Sequence, residues 1–298
     1  MPILKILGPP PLGFKKLKVL VMNVWVIVVI LLAMVLLGLF LYHTLREPPK
    51  VPTSPDAYNT STDPKALSGS LTDKSLHMIN YVASAYNDLY DFPLFQPVGS
   101  PKVTRFNTNL KTLGIGSVTK AGLIYEFESF VVVAFRGTST DVDVKSDVEW
   151  KPYTYPGTSI SVHGGFYRYY QGLRDQLMGI IGTTKKKLYL TGHSLGSGVA
   201  LICARDLKDW NPTVIVYACP KSGNQAFVDS FKGSDVTSIV NYFDVVPEVP
   251  EQVGKFFAAR PLYIFGVETA KVVDNHDIAT YNQGIPCMQL LDSAKCSK

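Results

Sequence analysis

The stretch TGHSLGSG, residues 191–198, places Ser194 between glycines directly after the apolar run LYL. The pattern G-x-S-x-G is weak by itself, because a chain with 23 glycines in 298 residues produces it by chance in some cases. Its setting makes it stronger: a strand-like run precedes the motif, and the helix-forming stretch LGSGVALICARDL follows it. A strand–turn–helix of this kind holds a serine hydroxyl ready for attack on a carbonyl carbon.

The predicted turn consists of Gly192, His193, Ser194 and Gly196. We expect glycine at 192 and 196 because a side chain there would collide with the neighbouring strand or helix across so sharp a turn. A helix that begins just after Ser194 also directs its free N–H groups, and its positive dipole end, toward any oxyanion that forms there.

A serine hydroxyl is a poor nucleophile and needs a base. Enzymes built on this turn carry the order Ser, Asp, His along the chain, so the base must follow Ser194. Of the five histidines only His276 does. His193 sits inside the turn, where we expect it to point away from the serine and pack.

The base needs a carboxylate that fixes its tautomer and stabilises its charged form. Asp244 directly follows the apolar run TSIVNYF, and parallel-sheet enzymes place site residues at such strand ends. Asp274 is the alternative, although it stands very close to His276 along the chain. The sequence therefore predicts a triad of Ser194, Asp244 and His276.

Strand-like and helix-like runs alternate through the second half of the chain. The apolar strand runs are AGLIYEF, FVVVAFRG, KLYLTG, TVIVYAC and TSIVNYF. Helical stretches separate the last three of them. This alternation predicts an α/β fold in which helices cover both faces of a mostly parallel central sheet.

Residues 19–42, VLVMNVWVIVVILLAMVLLGLFLY, contain no charged side chain. As a helix they would be about 36 Å long, enough to cross a hydrocarbon core of roughly 30 Å. A buried helix of a globular domain is an alternative, but the run is long for one. A cleaved signal peptide is another, but its apolar region is shorter and ends at a small-residue site, which is missing here. We therefore predict a transmembrane signal anchor.

The flanking charges predict the orientation of this anchor. Four lysines precede it within residues 1–18, whereas Arg46 and Lys50 follow it. The excess favours a short cytoplasmic tail, 1–18, with the rest of the chain lumenal or extracellular. Residues 43–73 are rich in Pro, Ser and Thr and predict a stalk, in which Asn59 begins a glycosylation sequon. Residues 74–298 form the predicted catalytic domain.

The net charge of +5 does not indicate a nucleic-acid partner. Residues 1–50 carry six basic side chains and one acidic one, which leaves 23 of each sign in the other 248 residues. Such a balanced domain has no basic surface for a polyanion. Four cysteines are few, and Cys287 and Cys296 are near enough in sequence to form a disulfide in an oxidising compartment. No metal-ligand spacing is present in the sequence.

Several motifs together resemble the fungal-type triacylglycerol lipases, lipase class 3, over about residues 76–281. In chain order they are VVVAFRGTST, VHGGFYRYY, LTGHSLGSGVA, YACPKSGNQAF and VNYFDVVPEVP, followed by His276. The resemblance implies an α/β-hydrolase fold with Ser194 as nucleophile, Asp244 as the residue that orients the base, and His276 as the base. It also implies two oxyanion donors, the N–H and hydroxyl of Thr138 and the N–H of Leu195, and no cofactor or metal.

This chain departs from the family pattern in two places. Val144 stands where a tryptophan is common in the lid, within the acidic stretch TDVDVKSDVEW, so strong activation by an oil surface is not expected. Ser197 replaces a common glycine, and its small side chain fits there.

The sequence therefore predicts a membrane-anchored serine hydrolase that cleaves carboxylic esters of lipids, with acylglycerols as leading substrates. A phospholipase A1 and a general carboxylesterase are alternatives within the enzyme class. Outside that class, the domain could be a binding module for lipid or protein that lost turnover.

Overall fold

The structure, a computed structural model, describes residues 62–112, 115–137, 151–248, 256–257 and 261–291. All of them belong to the compact unit Val51–Lys298. No helix among these residues has the length and apolar character needed to cross a membrane. The predicted anchor 19–42, the sequon at Asn59, the oxyanion donor Thr138, the acidic stretch after it and Cys296 lie outside the described residues.

The strands form a large and a small sheet. In chain order they are β1 (Lys102–Thr112), β2 (Ile115–Glu126), β3 (Phe130–Phe135), β4 (Tyr153–Thr154), β5 (Ser161–Val162), β6 (Lys187–His193), β7 (Thr213–Tyr217), β8 (Gly223–Asn224), β9 (Val236–Asn241), β10 (Phe256–Phe257), β11 (Leu262–Phe265) and β12 (Gln289–Leu290). The large sheet has the order β1-β2-β3-β6-β7-β9-β11-β12, and the small one the order β10-β8-β5-β4.

The large sheet is parallel in its centre and antiparallel at its edges. Strands β3, β6, β7, β9 and β11 run parallel to one another. Strands β1 and β2 form an antiparallel hairpin on one side, and β12 pairs antiparallel with β11 on the other. The predicted mostly parallel sheet is confirmed. The strands β1 and β11 were not predicted from the sequence.

The helices lie on both faces of this sheet, as the sequence predicted. They are α1 (Leu71–Leu89), α2 (Gly164–Ile181), α3 (Leu195–Asp206), α4 (Gln225–Asp229) and α5 (Ile278–Gly284), and short 3-10 turns cover Pro64–Ser68, Lys208–Trp210, Val246–Glu248, Val272–His276 and Ile285–Cys287. One apolar layer contains α2 and α3, and the other contains α1 and α5.

Alternation along β3 shows why the two layers form. Val131, Val133 and Phe135 face the layer of α2 and α3, whereas Val132 and Ala134 face that of α1 and α5. Successive side chains of a strand point to opposite faces, so an apolar side chain at every position needs cover on both. Strand β3 therefore reads as an unbroken apolar run, FVVVAF.

The folded part begins earlier than residue 74, the predicted domain start. Helix α1 begins at Leu71, and a capping box joins Ser70 and Asp73 at its amino end. Before it, Leu67 is 5% exposed and packs in the apolar layer of α1. The last residues of the predicted stalk, 62–73, thus belong to the domain, because the polar composition that suggested a stalk also supplies a helix cap.

Candidate active site

Ser194 occupies the tight turn between β6 and α3. Its backbone has φ 57° and ψ −130°, a conformation that non-glycine residues rarely adopt. Such strain costs on the order of 1–3 kcal/mol and persists only where the surroundings hold it. The residue is buried but reaches the surface, with 8% of its area exposed.

Close packing around this turn explains its glycines. A methyl group added at Gly196 would lie 2.5 Å from the carbonyl oxygens of Phe135 and Arg136, and one added at Gly192 would collide with the backbone of Gly196. Ser197 is fully buried, and its hydroxyl donates to the carbonyl of Gly192 at 2.8 Å. The start of α3 is thereby held tightly against the ends of β3 and β6.

The amino end of α3 faces the candidate oxyanion site. Leu195 is the first residue of α3, and the first N–H groups of a helix have no partner within it. The described chain before Thr138 ends at Gly137, where an added methyl group would lie 3.0 Å from Cβ of Ser194. The segment that leads to the second predicted donor therefore reaches the serine.

Asp244 and His276 are joined directly. Nδ1 of His276 donates to Oδ2 of Asp244 at 2.7 Å. The Asp244 side chain is almost completely buried, while 23% of the His276 side chain is exposed. With its Nδ1 proton given to the carboxylate, the ring presents Nε2 as the nitrogen that can accept a proton. The structure gives Asp274, the alternative partner, a different contact: its backbone carbonyl accepts a hydrogen bond from the Thr280 hydroxyl at 2.7 Å.

Two further donors hold the carboxylate of Asp244. The Val246 N–H donates to Oδ1 at 3.0 Å, and the Tyr281 hydroxyl donates to Oδ2 at 2.8 Å. Burial, and then the negative charge of Asp244, raise the pKa of Tyr281 well above its usual value, so this hydroxyl stays protonated. Both oxygens of the Asp244 carboxylate are therefore held in place by neighbouring donors, which fixes the orientation of the carboxylate toward His276.

Two asparagines tie the loop of Asp244 to the loop of His276. The amide of Asn241 donates to the carbonyl of Asn275 at 3.1 Å, and the amide of Asn275 donates to the carbonyl of Phe243 at 3.2 Å. Both asparagines are buried. Sequence reasoning missed these residues and Tyr281, because isolated Asn and Tyr residues carry no motif.

His193 does not simply pack, as the sequence predicted, but links three parts of the site. Its Nε2 lies 2.8 Å from the carbonyl oxygen of His276, and its Nδ1 lies 3.0 Å from the hydroxyl of Tyr86 on α1. The rings of His193 and His276 have centroids 4.5 Å apart. His276 is thus held beside the turn that carries Ser194. The structure records no hydrogen bond between the described side chains of His276 and Ser194.

The three cysteines within the described residues form no hydrogen bond with Ser194, Asp244 or His276. Cys203 and Cys219 are buried, and burial raises the pKa of the Cys219 thiol to about 12. Cys287 is exposed after α5. Because Cys296 lies outside the described residues, the predicted disulfide remains a prediction.

Residues 132–254 match the family model described as Lipase (class 3). A lipase of Rhizomucor miehei is 29% identical over 151 residues, which cover 46% of this chain and 42% of that protein. A chloroplastic phospholipase A(1) of Arabidopsis thaliana is 30% identical over 149 residues, covering 40% of this chain and 33% of that protein. The chain thus spans less than half the length of either relative.

Among solved structures, the fold is similar to that of a mono- and diacylglycerol lipase from Aspergillus oryzae. The TM-score is 0.56 and the identity 20%, over 75% of this chain and 87% of that one. At this identity the likeness shows the fold alone. Together with the family match, it confirms the predicted resemblance: residues 132–254 are similar to lipase class 3, and the chain has an α/β-hydrolase fold.

Proposed function

We propose that the protein is a membrane-anchored serine hydrolase that cleaves carboxylic esters of lipids, with acylglycerols as the leading substrates. The observation that carries this proposal is the 2.7 Å bond between buried Asp244 and His276, held beside the strained turn of Ser194. A strained nucleophile position next to an oriented base is the arrangement that acyl transfer requires.

In this reaction Ser194 Oγ attacks the ester carbonyl while Nε2 of His276 takes its proton. Asp244 stabilises the imidazolium that forms, and the hydroxyl of Tyr281 keeps the carboxylate in place. The N–H of Leu195, with Thr138 as the second donor, holds the oxyanion; each such donor is worth about 3–4 kcal/mol in the transition state. His276 then protonates the leaving alcohol, and water releases the acyl group by the same steps.

Exposed apolar side chains on the loops of Asp244 and His276 favour a lipid over a small soluble ester. Tyr242 and Val245, beside Asp244, are 73% and 59% exposed, and Val272 and Val273, shortly before His276, are 64% and 72% exposed. The two loops are tied together by Asn241 and Asn275, and we call their four exposed side chains the rim. Apolar patches on a soluble surface commonly mark contact with lipid or protein.

The proposed anchor and stalk would keep the domain near a lipid bilayer. The described domain starts at Thr62, whose carbonyl accepts from the N–H of Val98, and the adjoining Gly99 faces Phe127 at the amino end of the parallel strands. Ser194 lies at their carboxyl end. A random coil of 19 residues, the length of 43–61, has an r.m.s. reach of about 25 Å and a limit of about 65 Å, so we propose that the domain acts on the bilayer that holds the anchor. We place the domain on the lumenal or extracellular side.

Two alternatives have a specific observation behind them. The relative from Arabidopsis thaliana is named a phospholipase, which favours phospholipids among the substrates to be tested. The lack of a hydrogen bond between the described side chains of Ser194 and His276 favours a binding module without turnover, although catalytic hydrogen bonds are often long in free enzymes. A general carboxylesterase would show no preference for aggregated lipid.

A fluorophosphonate probe separates an enzyme from a binding module. The full chain in detergent should be labelled, and the Ser194→Ala variant should not. Unlabelled protein from the same preparation is then assayed on mono-, di- and triacylglycerol, on phosphatidylcholine and on a soluble p-nitrophenyl ester, because the probe itself blocks Ser194. A well-folded wild-type chain that takes up no label contradicts the proposal.

A further inference from the structure

We propose that His193 is a positioning residue: one imidazole, held by Tyr86, fixes the backbone of His276 against the turn that carries Ser194. This inference rests on the proposed hydrolase function. It assigns a role to the residue directly before the nucleophile, which the proposed reaction does not use.

The contact with His276 determines which nitrogen of His193 carries the proton. Nε2 faces a carbonyl oxygen at 2.8 Å, and a carbonyl oxygen can only accept a hydrogen bond. Nε2 must therefore hold the hydrogen. In the neutral ring Nδ1 is then an acceptor, and it receives the hydroxyl proton of Tyr86 at 3.0 Å.

The ring is held neutral by its surroundings. His193 is 3% exposed, and burial, followed by the nearby His276, lowers its pKa well below the usual value. Among the described residues, the titratable groups that face it are Tyr86, His276 and Tyr281, and the ring centroid of Tyr281 lies 5.7 Å away. A neutral His193 is needed at this place, because a second positive charge 4.5 Å from His276 would oppose the imidazolium formed during the reaction.

Tyr86 connects His193 to Gly137, the residue before the predicted oxyanion donor Thr138. A methyl group added at Gly137 would collide with the Tyr86 hydroxyl and would lie 2.7 Å from the carbonyl of His193. The hydroxyl therefore sits where Gly137, the turn and the imidazole of His193 meet. Through Tyr86 and His193, helix α1 thus positions the backbone of His276, while Asp244 positions its imidazole ring.

Two substitutions at one position separate the two contacts of His193. The amide nitrogen of glutamine can take the place of Nε2 and still donate to the His276 carbonyl. Asparagine is shorter, so it reaches Tyr86 but not that carbonyl. We expect His193→Asn to lower kcat on a soluble p-nitrophenyl ester by about tenfold to hundredfold, the cost of a reacting group misplaced by roughly 1 Å. We expect His193→Gln to recover most of that loss, with KM unchanged in both.

The readouts are kcat and KM from pH 5 to 9, the rate of fluorophosphonate labelling, and the thermal midpoint, all on the full chain. Equal loss of kcat in the Asn and Gln variants, or wild-type kcat in the Asn variant, overturns the proposal. If the Asn variant does not fold, Tyr86→Phe decides: a several-fold lower kcat at unchanged KM is expected, and wild-type kcat overturns it. Failure of the wild-type chain to label would instead contradict the hydrolase function itself.

Discussion

The hydroxyl of Tyr281 donates to Oδ2 of Asp244 at 2.8 Å, the same oxygen that receives Nδ1–H of His276 at 2.7 Å. The same hydroxyl accepts from the N–H of Asn241 at 3.1 Å. A single phenol therefore connects the end of β9 to the carboxylate that orients the base, and it is completely buried.

Replacing this phenol tests that connection. Tyr281→Phe leaves the N–H of Asn241 without its acceptor, which costs about 1–3 kcal/mol for a buried polar group. It also removes one of the hydrogen bonds that hold the Asp244 carboxylate, so we expect a lower kcat together with a lower free energy of unfolding. Denaturant titration and ester kinetics measure the two. Tyr263→Phe, on the half-buried face of β11, is the control and should change neither; an unchanged free energy of unfolding in Tyr281→Phe would contradict the assignment.

Two glycines in helices should respond oppositely to alanine. In α3, Gly196→Ala places a methyl group 2.5 Å from two carbonyl oxygens, so we expect several kcal/mol of destabilisation and loss of fluorophosphonate labelling. In α2, Gly179 has open space around the same position, and alanine should stabilise the helix by about 0.5–1 kcal/mol. Thermal midpoints of both variants test this. A tolerated Gly196→Ala would show that the turn is less tightly packed than described.

His163 should make the domain less stable in acid. It is the N-cap of α2, accepting from the N–H of Phe166, and burial, then the charge of Arg168, lower its pKa to about 4. Since the unfolded value is about 6.5, the unfolded chain binds more protons between these two pH values. Stability is therefore full above about pH 6.5 and falls by about 3 kcal/mol as the pH drops toward 4.

The matched variant for this effect is His163→Asn. Asparagine keeps the cap bond but does not titrate, so the free energy of unfolding should fall less steeply over the same pH range. Urea titrations of both proteins at pH 7, 5.5 and 4.5 measure the difference. His193, whose pKa is also lowered, titrates in both proteins and cancels in the comparison. Parallel pH curves would rule out His163 as the source.

The exposed rim should matter for lipid and not for a soluble ester. The double change Val272→Ser and Val273→Ser removes apolar contact with a lipid surface, and we expect about tenfold lower activity on emulsified acylglycerol. Activity on a soluble p-nitrophenyl ester should stay unchanged. Val98→Ser, which alters an exposed valine near the start of the domain, is the control and should leave both activities intact. Equal losses on both substrates would argue against a lipid-contacting rim.

The sequence predicted the large elements of the fold well, because each of them shows a clear pattern of apolar residues along the chain. β3, β6, β7 and β9 are mostly buried on both faces and appear as mainly apolar runs, and α3 follows a turn that the two glycines at 192 and 196 mark. β1 was missed because its polar residues alternate along a strand that is half exposed. The domain start was placed too late because a helix cap and a stalk use the same residue types.

Within the site, the sequence by itself determined the turn of Ser194 and the candidates Asp244 and His276, since local motif, strand end and chain order are properties of one dimension. Only the tertiary structure decided that Asp244 rather than Asp274 meets His276, and that Tyr281, Asn241, Tyr86 and His193 surround them. Those contacts join residues up to 107 positions apart. Their partners are chosen by the packing of strands and helices, because a hydrogen bond depends on where two atoms lie in space and leaves no periodic trace along the chain.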